Sequence, residues 1–129
     1  MARKYSTRER VDELINHFWR NGYLTLSRKY GKYLPEPKPI GEYSVDAVGK
    51  YKKKYVIGLI LSEEDFEDNR IVSKLNYLAT RQNTRYDIKV TLYIGVPQDR
   101  VYEASLLIEK TNSEAKKNIK IVPLPDSDR

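Results

Sequence analysis

Cysteine is absent from the sequence. That excludes disulfides and thiolate metal centres, and it is compatible with a reducing compartment, so the expected location is the cytoplasm. A single histidine, His17, rules out a zinc site built from several imidazoles. No apolar run approaches the roughly 20 residues that a bilayer span needs. Met1-Ala2-Arg3-Lys4-Tyr5 leads into polar sequence without the apolar stretch of a signal peptide. No membrane partner is therefore expected. Gly-rich phosphate loops, a nucleophile elbow, a Cys/His pair and a nucleotide fingerprint are all missing. Internal repeats, linkers and low-complexity stretches are missing too, and 129 residues suit a single domain over 1–129.

What the chain does have is charge and tyrosine. Charged residues make up 33% and hydrophobic residues 40%, the balance of a globular protein with a well-solvated exterior. Residues 1–54 hold 13 Lys/Arg and 6 Asp/Glu, whereas residues 55–129 hold 11 and 12, so the net +6 comes from the N-terminal half. Positive potential concentrated in this way favours a polyanionic partner; the bland alternative is a basic surface that opposes self-association. Tyrosine occurs 11 times, against 2 Phe and 1 Trp.

Ser6-Thr7-Arg8-Glu9 has the form of a capping box. Val11, Leu14, Ile15, Phe18 and Trp19 follow at helical spacing, and Gly22 is placed to end that helix in a left-handed conformation. Trp19 and Phe18 read as packing residues, or as a homodimer surface if the helix is over-apolar for one core. Tyr23-Leu24-Thr25-Leu26 reads as a short strand. Pro35, Pro37 and Pro39 make 30–41 an extended, stiff loop. Residues 42–49 and 54–61 flank a Lys-rich turn and predict a β-hairpin whose second strand, apolar on both faces, lies centrally. The acidic stretch 63–68 precedes a helical stripe of Ile71, Val72, Leu75, Leu78 and Ala79. Alternation in Ile88, Val90, Leu92, Ile94 and Val96 predicts a strand with one face toward the core. Pro97 suits a first helical position before Val101, Ala104, Ser105 and Ile108. Residues 119–124 predict a final strand and 125–129 a frayed tail. A mixed sheet with helices on its faces is expected.

Tyr43-Ser44-Val45-Asp46-Ala47-Val48-Gly49, a basic turn, and Tyr55-Val56-Ile57-Gly58-Leu59-Ile60 resemble the core of PD-(D/E)XK nucleases. Within that superfamily the layout is most similar to small archaeal Holliday-junction resolvases, which share the length, an N-terminal helix with an early Glu, and the hairpin. The resemblance covers about residues 7–96. It implies an α/β, restriction-endonuclease-like αβββαβ core, with a mixed central sheet flanked by helices and a C-terminal helix and strand added. It also implies an Asp and a Glu holding a divalent metal, with a Lys two residues beyond the Glu acting on the attacking water. Asp46 falls on the Asp position and Glu9 on that of the early Glu. Gly58 and Ile60 stand where the Glu and Lys belong. Catalysis is then expected only if those groups have migrated, with Asp46, Glu63 and Glu64 binding Mg²⁺ and Lys74 joining Asp46 in the chemistry; otherwise no cofactor is expected.

Arg28-Lys29-Tyr30-Gly31-Lys32-Tyr33 and Lys50-Tyr51-Lys52-Lys53-Lys54-Tyr55 interleave cations with tyrosines. Lysines neutralise phosphates and tyrosine rings stack on exposed bases. Arg28, Lys29, Lys32, Lys50, Lys52, Lys53 and Lys54 are the candidate nucleic-acid contacts. Three functions are left: a non-cutting nuclease-like domain that binds nucleic acid or serves a system that processes it, an active Mg²⁺-dependent nuclease with migrated groups, and a structural or protein-interaction domain.

Overall fold

A computed structural model describes residues 6–82 and 84–124; the tail expected over 125–129 lies outside them. The chain folds into a five-stranded mixed sheet with helices on both faces. Helix α1 (Thr7–Arg20) leads to β1 (Leu24–Arg28), and a long loop to the hairpin of β2 (Ala47–Tyr51) and β3 (Lys54–Ile60). After α2 (Glu63–Glu67) and α3 (Ile71–Ala79), a 3-10 turn over Thr84–Tyr86 enters β4 (Lys89–Pro97). Helices α4 (Val101–Glu109) and α5 (Ser113–Asn118) precede β5 (Ile119–Leu124). The strand order is β1-β2-β3-β4-β5, antiparallel from β1 to β3 and parallel from β3 to β5. Among the described residues no helix is long and apolar enough to cross a membrane.

Helix α1 starts where its capping box predicts. The Glu9 amide donates to Ser6 Oγ at 3.1 Å, and the Ser6 amide donates back to Glu9 Oε1 at 3.0 Å. It ends at Asn21, and Gly22 takes φ +86°, a value that costs glycine nothing. Val11, Leu14 and Phe18 are buried, Leu14 and Phe18 facing Ala47, Val56, Tyr93 and Val122 across the sheet. Trp19 departs from the expected stripe: it is 72% exposed, because the buried line runs 11, 14, 18 and residue 19 is rotated about 100° from residue 18.

The opposite face carries α3 and the larger core, in which Ile57, Leu59, Leu75, Leu78, Leu92 and Ile94 pack together. With helices on both faces, β3 is apolar throughout its middle, as expected. β4 is as well, which corrects the one-sided reading: Tyr93 and Gly95, on the face assigned to solvent, are buried beneath α1 and beside Leu124. The first hairpin strand begins at Ala47 and not at Glu42: Ile40 and Tyr43 pair locally around Gly41, and the hydrogen bonding to β3 is taken up only from the Asp46 amide, which donates to the Gly58 carbonyl at 2.9 Å. Pro97 closes β4 and precedes a 3-10 turn instead of opening the helix, which starts at Val101. Helix α5 has no counterpart in the sequence reading; its cap is Asn112, which accepts from the Ala115 amide at 2.8 Å.

Candidate nucleic-acid interface

The parallel pairing of β3 with β4 decides what meets at one end of the sheet. Parallel strands start at the same edge, so the β2–β3 turn and the entry to β4 lie side by side, with Lys54 opposite Lys89. The Lys89 amide donates to the Lys53 carbonyl at 3.0 Å and ties the two together. Arg85, Tyr86 and Lys89 thereby join Lys50, Lys52, Lys53 and Lys54, all of them exposed. The sequence reading overlooked these three. Their signal was present, since Arg85-Tyr86-Asp87-Ile88-Lys89 repeats the alternation of cations and tyrosine found at the turn, but nothing local said the two stretches would meet.

Two clefts result, one on each face of the sheet end. Side chains alternate along a strand, and the cross-strand pairs Lys50↔Tyr55 and Tyr51↔Lys54 therefore fall on opposite faces. The first cleft, about 500 Å³, is bounded by Lys50, Tyr55, Arg85 and Tyr86. The second, about 440 Å³, is bounded by Tyr51, Lys54 and Lys89. Lys52, Lys53 and Asp87 belong to both, so the turn is the ridge between them. Among the described residues, Asp87 is the one anion in the rim. Lysine nitrogens lie over tyrosine rings on both sides: Lys50 Nζ is 5.2 Å from the centre of Tyr55, and Lys52 Nζ is 5.3 Å from that of Tyr51. Lys52 holds φ +53° at the apex. A left-handed backbone costs a residue with a Cβ about 1 kcal/mol, and such strain gathers at working sites.

The other basic stretch is used differently. Arg28 Nη2 donates to Asp12 Oδ1 at 2.6 Å, Arg28 is largely buried, and its Nε donates to the Lys29 carbonyl. Lys29 Nζ lies 3.7 Å from Asp46 Oδ1. Of Arg28, Lys29 and Lys32, only Lys32 is exposed.

Asp46 sits at the far end of the hairpin, six strand residues or about 20 Å from Lys52. It is buried, and its Oδ2 accepts from the Ile60 amide at 2.7 Å where the β2–β3 ladder ends. Burial pushes its carboxyl above the ordinary carboxylate range, outweighing the Ile60 hydrogen bond and the nearby Lys29 and Lys74. Lys74, half-buried on α3, lies within electrostatic reach of Asp46. The carboxylates of the migrated set are elsewhere occupied or exposed. Glu63 Oε2 meets Arg100 Nη1 at 3.1 Å, and Glu64 is exposed in the first turn of α2. A groove of about 310 Å³ runs past Lys74, but its Asp65 caps α2 and its Asp68 accepts from the Arg70 amide. Among the described residues, no three His, Cys, Asp or Glu side chains are grouped to hold a metal.

The positions taken as the lost Glu and Lys also face the wrong way. A Cβ on Gly58 would stand 2.6 Å from Leu14 Cδ2 and 2.8 Å from Phe18 Cζ, under α1, and Ile60 packs against the same cluster. Lys74 belongs to α3, on the other face. There β3 offers Ile57 and Leu59, with Leu61 just beyond, all buried aliphatics. Neither face of β3 places a carboxylate or an amine beside Asp46.

Because the native carboxyl of Asp46 holds its proton more tightly than an unfolded one, its contribution to stability is present below about pH 4. That contribution is lost as pH rises through the raised native value. Chemical denaturation across pH 3.5–7 should therefore show wild type falling relative to Asp46→Asn, then running parallel to it. A wild type that gains on the variant over that window would mean the Lys29 ion pair dominates instead.

No family model, no curated protein and no solved structure matches this chain.

Proposed function

We propose that this chain is a nuclease-like α/β domain that no longer cuts and that binds nucleic acid at the basic end of its sheet. One observation carries the reading: two adjoining clefts hold six cations and three tyrosines against a single carboxylate. The nuclease-like part of the reading rests on the hairpin resemblance, together with a mixed sheet flanked by helices. The isolation of Asp46 from other carboxylates among the described residues supports the loss of cutting, since one buried carboxylate already engaged by the Ile60 amide and Lys29 is a poor site for a hard divalent cation.

Binding by counterion release has a signature. Titrating a labelled oligonucleotide at 50–300 mM KCl should give log Kd rising linearly with log salt, with a slope of about 3–5 for four to six phosphate contacts. Added Mg²⁺ or Mn²⁺ should leave the oligonucleotide intact. Affinity independent of salt would sink the binding half of the reading. Metal-dependent cleavage that Asp46→Ala abolishes would sink the other half and restore an active centre.

A further inference from the structure

Beyond polyanion binding, and resting on it, we propose that the two clefts take one single strand of nucleic acid bent over the hairpin tip, with Tyr51 and Tyr86 stacking on its bases. The clefts lie on opposite faces of the sheet and share Lys52, Lys53 and Asp87 at the ridge. A ligand touching both must turn sharply over two residues, Lys52 and Lys53, which the pair Tyr51↔Lys54 closes off. Duplex DNA has a persistence length of about 150 base pairs and does not follow such a bend, whereas a single strand does.

The rings favour the same ligand. Tyr51 is 48% exposed and Tyr86 58% exposed, one bordering each cleft. Base stacking on an aromatic ring strengthens binding by on the order of tenfold per base and needs the base face, which a duplex hides. A cation lies over each ring: Lys52 Nζ is 5.3 Å from the Tyr51 ring centre and the Arg85 guanidinium 5.7 Å from that of Tyr86. A base stacked on the other side of either ring would have that cation within reach of its phosphate. The size fits as well, since clefts of about 300–1,000 Å³ hold ligands of roughly nucleotide dimensions.

The competing geometry is a hairpin tip inserted into the groove of a duplex, which a two-stranded β-ribbon can do. Anisotropy titrations of a 12-nucleotide deoxy strand, its ribo counterpart and the matching duplex, all at 100 mM KCl, separate the two. The expected result is at least tenfold tighter binding of one or both single strands than of the duplex. Tyr51→Leu/Tyr86→Leu, with its thermal midpoint checked against wild type, should lose about ten- to a hundredfold on the single strand and keep the wild-type salt slope. Equal or tighter duplex binding, or a Leu variant as good as wild type, overturns the single-strand inference while leaving polyanion binding in place. Failure of all three probes to bind overturns both. The deoxy and ribo arms tell which sugar is preferred.

Discussion

Removing Lys52, Lys53, Lys54, Arg85 and Lys89 together, each replaced by Gln, should weaken binding of a 12-nucleotide strand about a thousandfold at 0.1 M salt. Each phosphate contact on a single strand contributes about 0.7 to the salt slope, so five lost contacts flatten it by about 3.5. The substituted side chains are exposed, so the thermal midpoint should hardly move, surface changes of this kind being worth within about 0.5 kcal/mol. The second basic stretch gives the control. Lys32→Gln should cost less than threefold, because Lys32 stands apart from both clefts. A variant lacking the five charges that binds like wild type would remove the clefts from consideration.

Placing a glutamate at position 58 should destabilise the protein and create no metal site. Gly58 is buried, its missing Cβ pointing at Leu14 Cδ2 and Phe18 Cζ. Glutamate there adds both overpacking and an unpaired buried charge, and the two together cost about 3–5 kcal/mol. Total stability for a domain is about 5–15 kcal/mol, so the loss corresponds to a midpoint lower by roughly 10 °C or more. Gly58→Ala should cost about 1–2 kcal/mol for the same steric reason. Leu14→Ala alone should cost about 2–5 kcal/mol as a cavity, but in the Gly58→Ala background it should cost less, since the new methyl occupies part of that space. A double-mutant cycle by urea denaturation reads the coupling. Additive losses would mean that α1 does not rest on position 58 as described.

How much of this was legible beforehand depended on the range of the interaction. Local chemistry was readable: the Ser6–Glu9 box, the stop at Gly22, the buried stripe of α3 and the doubly apolar β3 all follow from spacing within a few residues. The one-sided reading of β4 failed because Tyr93 and Gly95 look permissive of solvent in sequence. Tyr93 is buried because α1, some 75 residues earlier, lies over it, with Phe18 at a ring separation of 5.7 Å, and Gly95 because Ile60 and Leu124 close over it. At the site, the turn lysines were visible as a run. Their meeting with Arg85 and Lys89 was not, because it depends on a parallel register with Lys54 opposite Lys89, and crossover pairings leave no short-range mark. Alternation located Asp46 and Gly58 on neighbouring strands, yet it assigns parity within one strand only. Which face of the hairpin received α1 and which α3 was a tertiary fact, and it turned Gly58 away from Lys74.

The left-handed lysine at the hairpin apex carries a steric cost of about 1 kcal/mol at φ +53°. Glycine would avoid that cost but lose most of the gain to its greater freedom in the unfolded chain. A cation thus stands at the tip of the hairpin at almost no net cost in stability, and the turn can carry charge where other folds would carry glycine.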